Sequence, residues 1–392
     1  MKTIRRQGRS KFSHGVIPVT VGLLSLAWLQ LSFAQSKPEW QQRWDRVLSQ
    51  AGKEGKVVVL GSPGELIREA LTQGFRKTFP GIGIDYAAAR GAELAAKLKA
   101  ERDGGIYSTD VVVSGTTTAI SYFKPMAALA PIKPALILPE VTDLKKWRNN
   151  TLEFSDKAGS YNLVFSDNVL PPVYYDPKQV KPEEIAGLHD LLHPKWAGKI
   201  VINDPLPSGP GNVTFRWIWR VLGPEKATDY YRKIRAQAAA VDRDQRRQIE
   251  WVVQGKYAIL FSPSSAVGEQ LLQRGLKFGV LPEFADYGGY ITAGFGSLML
   301  IHKAPHPNAA TVYINWLLSV DGQTAWSRAI NAASHRLDVP TDHVSPYLVP
   351  KGGARFWVSH YKPGDRYWIS HHEENVERTV EEERILKELF GR

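Results

Sequence analysis

The chain has 392 residues, 43% of them hydrophobic, a formal net charge of +11 and no cysteine. A chain of that length can bury two ordinary hydrophobic cores, and the lack of cysteine excludes a disulfide framework, a thiolate metal site and a thiol nucleophile. The basic residues are dispersed rather than clustered, so no nucleic-acid partner is expected.

Lys2, Arg5, Arg6, Arg9 and Lys11 precede an apolar run over residues 16–33 and the small-x-small triplet Ser32-Phe33-Ala34. This is the pattern of a secretory signal, with cleavage expected after Ala34 and a periplasmic mature chain. The rival reading, an uncleaved anchor, is weakened by Pro18, Thr20, Gly22, Ser25 and Gln30 inside the run. Arg5-Arg6 lacks the apolar residues that follow a twin arginine, because Gln7-Gly8 stands there instead.

Strands are predicted at residues 56–60, 82–86 and 110–114, with helices at 65–78 and 91–100 between them. This βαβαβ series calls for an α/β domain with a parallel sheet and right-handed crossovers. Such sheets bind ligands beyond the carboxyl ends of their strands, so three loops point to one edge. They offer Ser62 and Gly64, then Arg90, then Ser114 and Thr116. Turn chemistry alone also explains the small residues; Arg90 is the charged side chain placed to meet a ligand.

A second series follows an extended crossover at 161–166. It has strands at 173–175, 199–203, 238–241, 257–261 and 277–281, and helices ending at Leu222 and spanning 244–254. The segment LLHPKWAGKIVINDPLPSGPGN, residues 191–212, is its most informative part. The run KIVIN has the β-branching of a strand covered on both faces, and Asp204, Pro205 and Pro207 end it. Ser208, Gly209, Pro210 and Gly211 supply an N-cap, a tight turn and an N1 proline. Free N–H groups at that helix start favour an anion, although a well-capped turn is the bland alternative. A glycine-interrupted run at 291–301 is the second crossover, and helices at 308–320 and 322–330 return to the first domain. The tail, 371–392, reads as a charged docked helix with a stripe of Val376, Val380, Ile385, Leu389 and Phe390. Its His371-His372-Glu373-Glu374 is suggestive of metal ligation but sits in a charged tail expected to face water.

The segment LLHPKWAGKI with its DP and SG, the segment KAPHPNAATVYINWLLSVDGQTAW, and VVVLGSPGE with ARGAELAAKLKAE resemble extracellular solute-binding proteins of ABC importers. The resemblance spans roughly residues 40–338 and is to the group that includes ferric-ion-binding proteins. It implies a two-lobed type II periplasmic-binding fold, each lobe a mainly parallel sheet flanked by helices, joined by two hinge crossovers. Residues 35–163 and 296–392 then form lobe 1, and 164–295 lobe 2. It further implies a monomer that closes on a small-molecule ligand and presents it to an inner-membrane ABC permease.

Ferric members hold iron with two adjacent tyrosines, a histidine and a glutamate. Here the matching positions read Phe261-Ser262-Pro263-Ser264-Ser265, Ser62-Pro63-Gly64 and Ser114-Gly115. Iron(III) needs anionic oxygen ligands, so no metal and no cofactor are expected. Tyr174-Tyr175 on a strand face opposite ways, and Tyr230-Tyr231 lie in a helix, so neither pair is a convincing chelate. The expected ligand is instead an anionic organic solute such as a phosphonate, phosphate ester, sulfonate or carboxylate. Its donors are Ser208, Gly209 and Asn212 from one lobe and Ser62, Arg90 and Thr116 from the other, with Ser262 and Ser264 adding hydroxyls. Arg243 and Arg246 flank the helix start at Asp244 and are placed to neutralise charge. Asp204 and Glu65 keep an amine-bearing ligand open, with capping their preferred role.

His189 and His193 have metal-capable spacing, but Pro194 ends that helix and no further ligand motif supports a site. No G-x-S-x-G elbow marks a serine hydrolase, and Gly81-Ile82-Gly83 is no dinucleotide fingerprint. The readings kept beside transport are a ferric receptor with a shifted site, a ligand sensor for a membrane kinase, and an exported enzyme on the same scaffold.

Overall fold

Short β-branched strands alternate with amphipathic helices in the computed structural model, which describes residues 37–207, 209–352, 354–357, 361–362 and 364–391. The export signal expected over residues 1–34 and Ser208 lie outside the described residues. Helix α1 (Glu39–Glu54) leads into β1 (Lys56–Gly61), α2 (Glu65–Thr78), β2 (Gly83–Ala88), α3 (Gly91–Asp103) and β3 (Val111–Ser114). A π-helical segment, Thr118–Phe123, opens a stretch holding β4 (Leu129–Ala130), α4 (Pro139–Thr142), β5 (Glu153–Phe154) and β6 (Asn162–Val164). Then β7 (Ser166–Val169), β8 (Val173–Tyr175), β9 (Ile200–Asn203), α5 (Pro210–Leu222) and α6 (Pro224–Gln237) follow. They continue into β10 (Ala240–Asp242), α7 (Gln245–Val253), β11 (Ile259–Phe261), α8 (Ser265–Gln273) and β12 (Gly279–Leu281). The chain returns through β13 (Gly289–Thr292), β14 (Ser297–Ile301), α9 (Pro307–Leu317) and α10 (Val320–Ile330). It finishes with β15 (Ala333–Ser334), β16 (Arg355–Trp357), β17 (Asp365–Ile369), α11 (Glu373–Val376) and α12 (Val380–Phe390).

Among the described residues these strands make three sheets. The first has the order β2-β1-β3-β14-β6-β5, with β4 on β14, and the second β10-β9-β11-β8-β12. In each, three strands are parallel: β1 with β2 and β3, and β9 with β10 and β11. The expected parallel pairing holds for the strands whose loops are expected to meet a ligand. It gives way to antiparallel pairing at β14 and β8, next to the strands on which the chain crosses. The third sheet, β15-β7-β13-β17-β16, contains both crossing strands and is extended by strands of the C-terminal region.

Helix α2 shows why the local sequence folds as it does. Its apolar Leu71 and Phe75 recur four apart and are fully buried, so they share one helical face. Phe75 meets Tyr313 and Trp316 of α9 edge-on at 5.2 and 5.5 Å, contacts worth about 0.5–1.5 kcal/mol beyond their buried area. Helix α10 begins at Val320 because the Ser319 hydroxyl accepts the Gly322 N–H at 3.3 Å, the usual capping geometry. Trp196, Trp217, Trp219 and Trp316 are core residues, as their neighbours suggest.

Two corrections concern the tail. His371 does not face water: it is 1% exposed. Helix α12 does dock, but with the second core and not with the first sheet to which residues 296–392 are assigned above. Ile385, Leu386 and Phe390 join Trp217, Tyr230, Tyr231 and Phe261 in one cluster, and Arg220 pairs with buried Glu382 at 2.7 Å. Val380, counted in the apolar stripe, is 88% exposed, because it sits on the first turn, away from the packed face. Among the described residues no helix is long and apolar enough to cross a membrane.

If α12 is integral to the second core, Leu386→Ala lowers unfolding free energy by about 2–5 kcal/mol. Val380→Ala changes it by less than about 0.5 kcal/mol. Urea denaturation of the two variants measures the contrast.

Candidate functional site

The carboxyl ends of the first sheet's parallel strands are level, with Gly61 opposite Ala88 and Val113. Antiparallel β14 brings its first residue to the same edge, with Ser297 opposite Ser114. Ser62, Ser114 and Thr116 are buried there. The Ser62 carbonyl accepts the Tyr86 hydroxyl at 2.8 Å, and the Ser114 carbonyl accepts the Ser297 hydroxyl at 2.7 Å. Burial pushes the Tyr86 phenol up to about 12, so it remains a donor. Ser114 Oγ lies 3.3 Å from Thr118 Oγ1, and a Cβ on Gly91 would collide with that same threonine oxygen. The loops after β2 and β3 therefore touch. Gly64 and Arg90 occupy the N-caps of α2 and α3 and are exposed at the rim. Among the described residues the Arg90 guanidinium enters no ion pair.

At the second sheet Asn203 stands opposite Asp242, and Ile202 opposite Phe261, so these three strands also end together. Asn203 organises the turn: its Oδ1 accepts the Gly211 N–H at 3.2 Å and its Nδ2 donates to Gln248 at 3.0 Å. A Cβ on Gly211 would strike the Asn203 and Asp204 carbonyls, so only glycine lets α5 start this close to β9. Gly209 is the N-cap of α5. Ser262 is buried with a φ of 64°, a conformation costing a non-glycine residue about 1–3 kcal/mol and found where geometry is functionally constrained. Ser264 caps α8 by accepting the Val267 N–H at 3.4 Å.

Two expected ligand residues are otherwise engaged. Buried Asn212 donates to the Pro205 carbonyl at 3.3 Å and accepts from Arg216 Nε at 3.2 Å, so its amide braces the turn from within. Exposed Arg246 pairs with Glu250 one turn along α7 at 2.8 Å. Asp204 does not cap a helix, since Gly209 is the N-cap of α5; it braces the turn after β9, accepting the Leu206 N–H at 3.0 Å and Arg243 Nε at 2.7 Å. Glu65 pairs with Arg68 at 2.6 Å and Asp242 with Arg247 at 2.6 Å. The edges thus present hydroxyls and helix starts, while these nearby carboxylates already have cationic partners.

The sequence reading left the segment between β17 and α12 to solvent. Glu373 pairs with Lys124, just after the β3 loop and its π-helical segment. Arg378 donates to the Leu206 carbonyl in the turn after β9 at 3.1 Å, and buried Arg216 donates to the Asn375 carbonyl. Burial pushes Arg216 down to about 10, with Glu382 opposing. A cavity of about 650 Å³ lies here, lined in part by Lys124, Lys157, Arg220, Glu373 and Arg378. These partners are so far apart in sequence that no local pattern announces them.

Two groups of side chains are spaced to hold a metal: Glu153, His371 and His372, and Glu153, Asp167 and His335. Arg148 reaches both carboxylates, Asp167 at 2.7 Å and Glu153 at 3.2 Å. Burial opposes ionisation of Glu153, and hydrogen bonds from His371 and His372 overcome it, holding the carboxyl well below its ordinary range. The tyrosine pairs are core residues. Burial raises the phenols of Tyr174, Tyr230 and Tyr231 well above their ordinary value, which keeps them protonated. His193 Nδ1 accepts the Lys195 N–H at 3.2 Å, and His189 packs edge-on against Tyr230.

A family model for bacterial extracellular solute-binding proteins matches residues 60–324. No curated protein sequence matches the chain. Among solved structures it is similar to iron-bound HitA from Pseudomonas aeruginosa, with 15% identity, TM-score 0.63, 85% of this chain and 99% of that one. It is also similar to FutA from Trichodesmium in complex with iron and citrate, with 17% identity, TM-score 0.60, and 86% and 97% coverage. The periplasmic binding protein AfuA from Actinobacillus pleuropneumoniae, bound to fructose-6-phosphate, aligns with 16% identity, TM-score 0.59, and 85% and 97% coverage. These likenesses establish the type II periplasmic-binding fold.

Gly211→Ala is expected to lower stability by about 1–3 kcal/mol, because the clash is with backbone carbonyls that cannot rotate away. Thermal and chemical unfolding of the variant measure it.

Proposed function

The chain belongs to the bacterial extracellular solute-binding proteins, and on that premise we propose that it captures a small anionic organic solute for import. Membership implies a small-molecule ligand, an ABC permease as partner and a location outside the cytoplasm. The ligand cleft in this reading lies between the carboxyl edges of the two sheets. Residues 164–295 form one lobe and residues 35–163 with the chain from 296 the other, α12 excepted. Ser62, Gly64, Arg90, Ser114 and Thr116 meet the ligand from one side, and Ser208, Gly209, Ser262 and Ser264 from the other.

The observation that carries this reading is the excess of donors at both edges. Helices α2, α3, α5, α7 and α8 all start there, and helix starts attract negative charge. Of the carboxylates at these edges, Glu65, Asp204 and Asp242 are each paired with an arginine, and Glu93 and Asp244 accept backbone N–H groups at the starts of α3 and α7. A phosphate ester fits that balance, and a sugar phosphate is bound in AfuA. The FutA complex contains iron and citrate, so a carboxylate is the next class to try. A micromolar ligand supplies about 8 kcal/mol, enough to favour a closed over an open arrangement through differential binding.

A thermal-shift screen with fructose 6-phosphate, inorganic phosphate, phosphonates, sulfonates and citrate tests the class. A true ligand at a hundredfold excess over its Kd adds about 2.7 kcal/mol of stability. Arg90→Ala and Ser208→Ala are each expected to weaken calorimetric affinity at least about tenfold, or roughly 1.4 kcal/mol. Unchanged affinity in both variants overturns the site assignment, and a red-purple protein after ferric loading replaces the organic anion with iron.

A further inference from the structure

We propose that Glu153, His371 and His372 form a site for a divalent transition-metal ion that clips the C-terminal segment to the edge of the first sheet. Their donor atoms all lie within 4.8 Å of one another. Glu153 Oε1 is 2.7 Å from His371 Nε2 and 3.3 Å from His372 Nε2. Tetrahedral zinc, with bonds of about 2.0–2.1 Å, sets its ligand atoms about 3.3 Å apart. His372 already has that spacing from the carboxylate, and His371 needs only a small retreat. Two imidazoles and one carboxylate suit zinc or ferrous iron and not calcium or magnesium, which take oxygen ligands.

Three further features fit an ion. Arg148 Nη2 lies 3.2 Å from Glu153 Oε2, which orients the carboxylate as outer partners of metal ligands do. Arg148 is shared with buried Asp167, so the two carboxylates face one permanently charged group, their other neighbour being the His335 imidazole 3.0 Å from Asp167, and a cation adds to that balance. Entry is open, because the side chains of Glu153 and His372 are each 17% exposed.

The location gives the ion its effect. Glu153 lies on β5 at the end of the first sheet, whereas His371 and His372 directly follow β17. The chain then runs through Glu373, paired with Lys124, to α12 on the second core. A metal at Glu153 fastens the start of this strap, and its removal loosens the link between the first sheet and the second core.

The test uses chelator-stripped protein titrated with Zn²⁺ in competition with a chromophoric chelator, alongside melting curves. One zinc per chain and a raised Tm are expected for the wild type and for His189→Ala, a control outside the cluster. His372→Ala, at the partly exposed ligand, is expected to lose at least about a hundredfold in zinc affinity and to keep its metal-free Tm. Failure of the wild type to take up one zinc overturns the proposal. So does equally tight binding by His372→Ala and Glu153→Gln. The titration is independent of the organic-anion screen, so either reading can fail alone.

Discussion

Parallel pairing at the centre of each of the first two sheets governs most of what this protein can do. A strand that must run parallel to its predecessor needs a helix to carry the chain back, so successive helices begin at the same edge where strands end. In the first sheet that edge collects the starts of α2 and α3, and in the second those of α5, α7 and α8. Small residues follow almost necessarily, since the chain turns sharply between buried strands. Gly211 against the Asn203 carbonyl is the clearest case. Hydroxyls, free N–H groups and helix dipoles converge as a consequence of topology before any ligand is considered.

The second organising feature is the sheet made from the crossing strands. β7 and β13 pair antiparallel, and β17 adds to β13 in parallel, so the C-terminal region becomes part of the connection between the two halves. It continues as a strap that touches Lys124 near the first sheet, the Leu206 turn beside the second, and the second core through α12. If the proposed cleft opens and closes, this strap deforms or slides together with the crossing strands. The largely buried group of Arg148, Glu153, Asp167, His335, His371 and His372 is where it is tied down.

Legibility along the chain followed the range of the interactions involved. The bounds of α2 and β8 could be read directly, because period-3.6 and β-branched patterns are local. Strands β16 and β17 could not, since such short segments carry little periodic signal and exist only through pairing with β13 and each other. The hydroxyl residues at the strand ends could be named because strand-to-helix loops point one way. The protein partners of Asn212 and Arg246, both expected as ligand donors, escaped the sequence for a shared reason. Their partners, the Pro205 carbonyl with Arg216 and the neighbouring Glu250, compete for the same polar atoms, and residue type does not reveal which partner wins.

The sequence by itself determined the α/β alternation, the two crossovers, the family resemblance and the edge on which the small and hydroxyl residues of the strand-to-helix loops gather, because each depends on neighbours within a few residues or on parallel-strand topology. Only the tertiary structure decided the burial of His371, the docking of α12 on the second core, and the pairing of Asp204 with Arg243. Those outcomes rest on which distant groups arrive at the same place. A charged tail has the same local pattern whether it ends in water or closes over a carboxylate, and the difference lies in the desolvation and pairing that packing imposes.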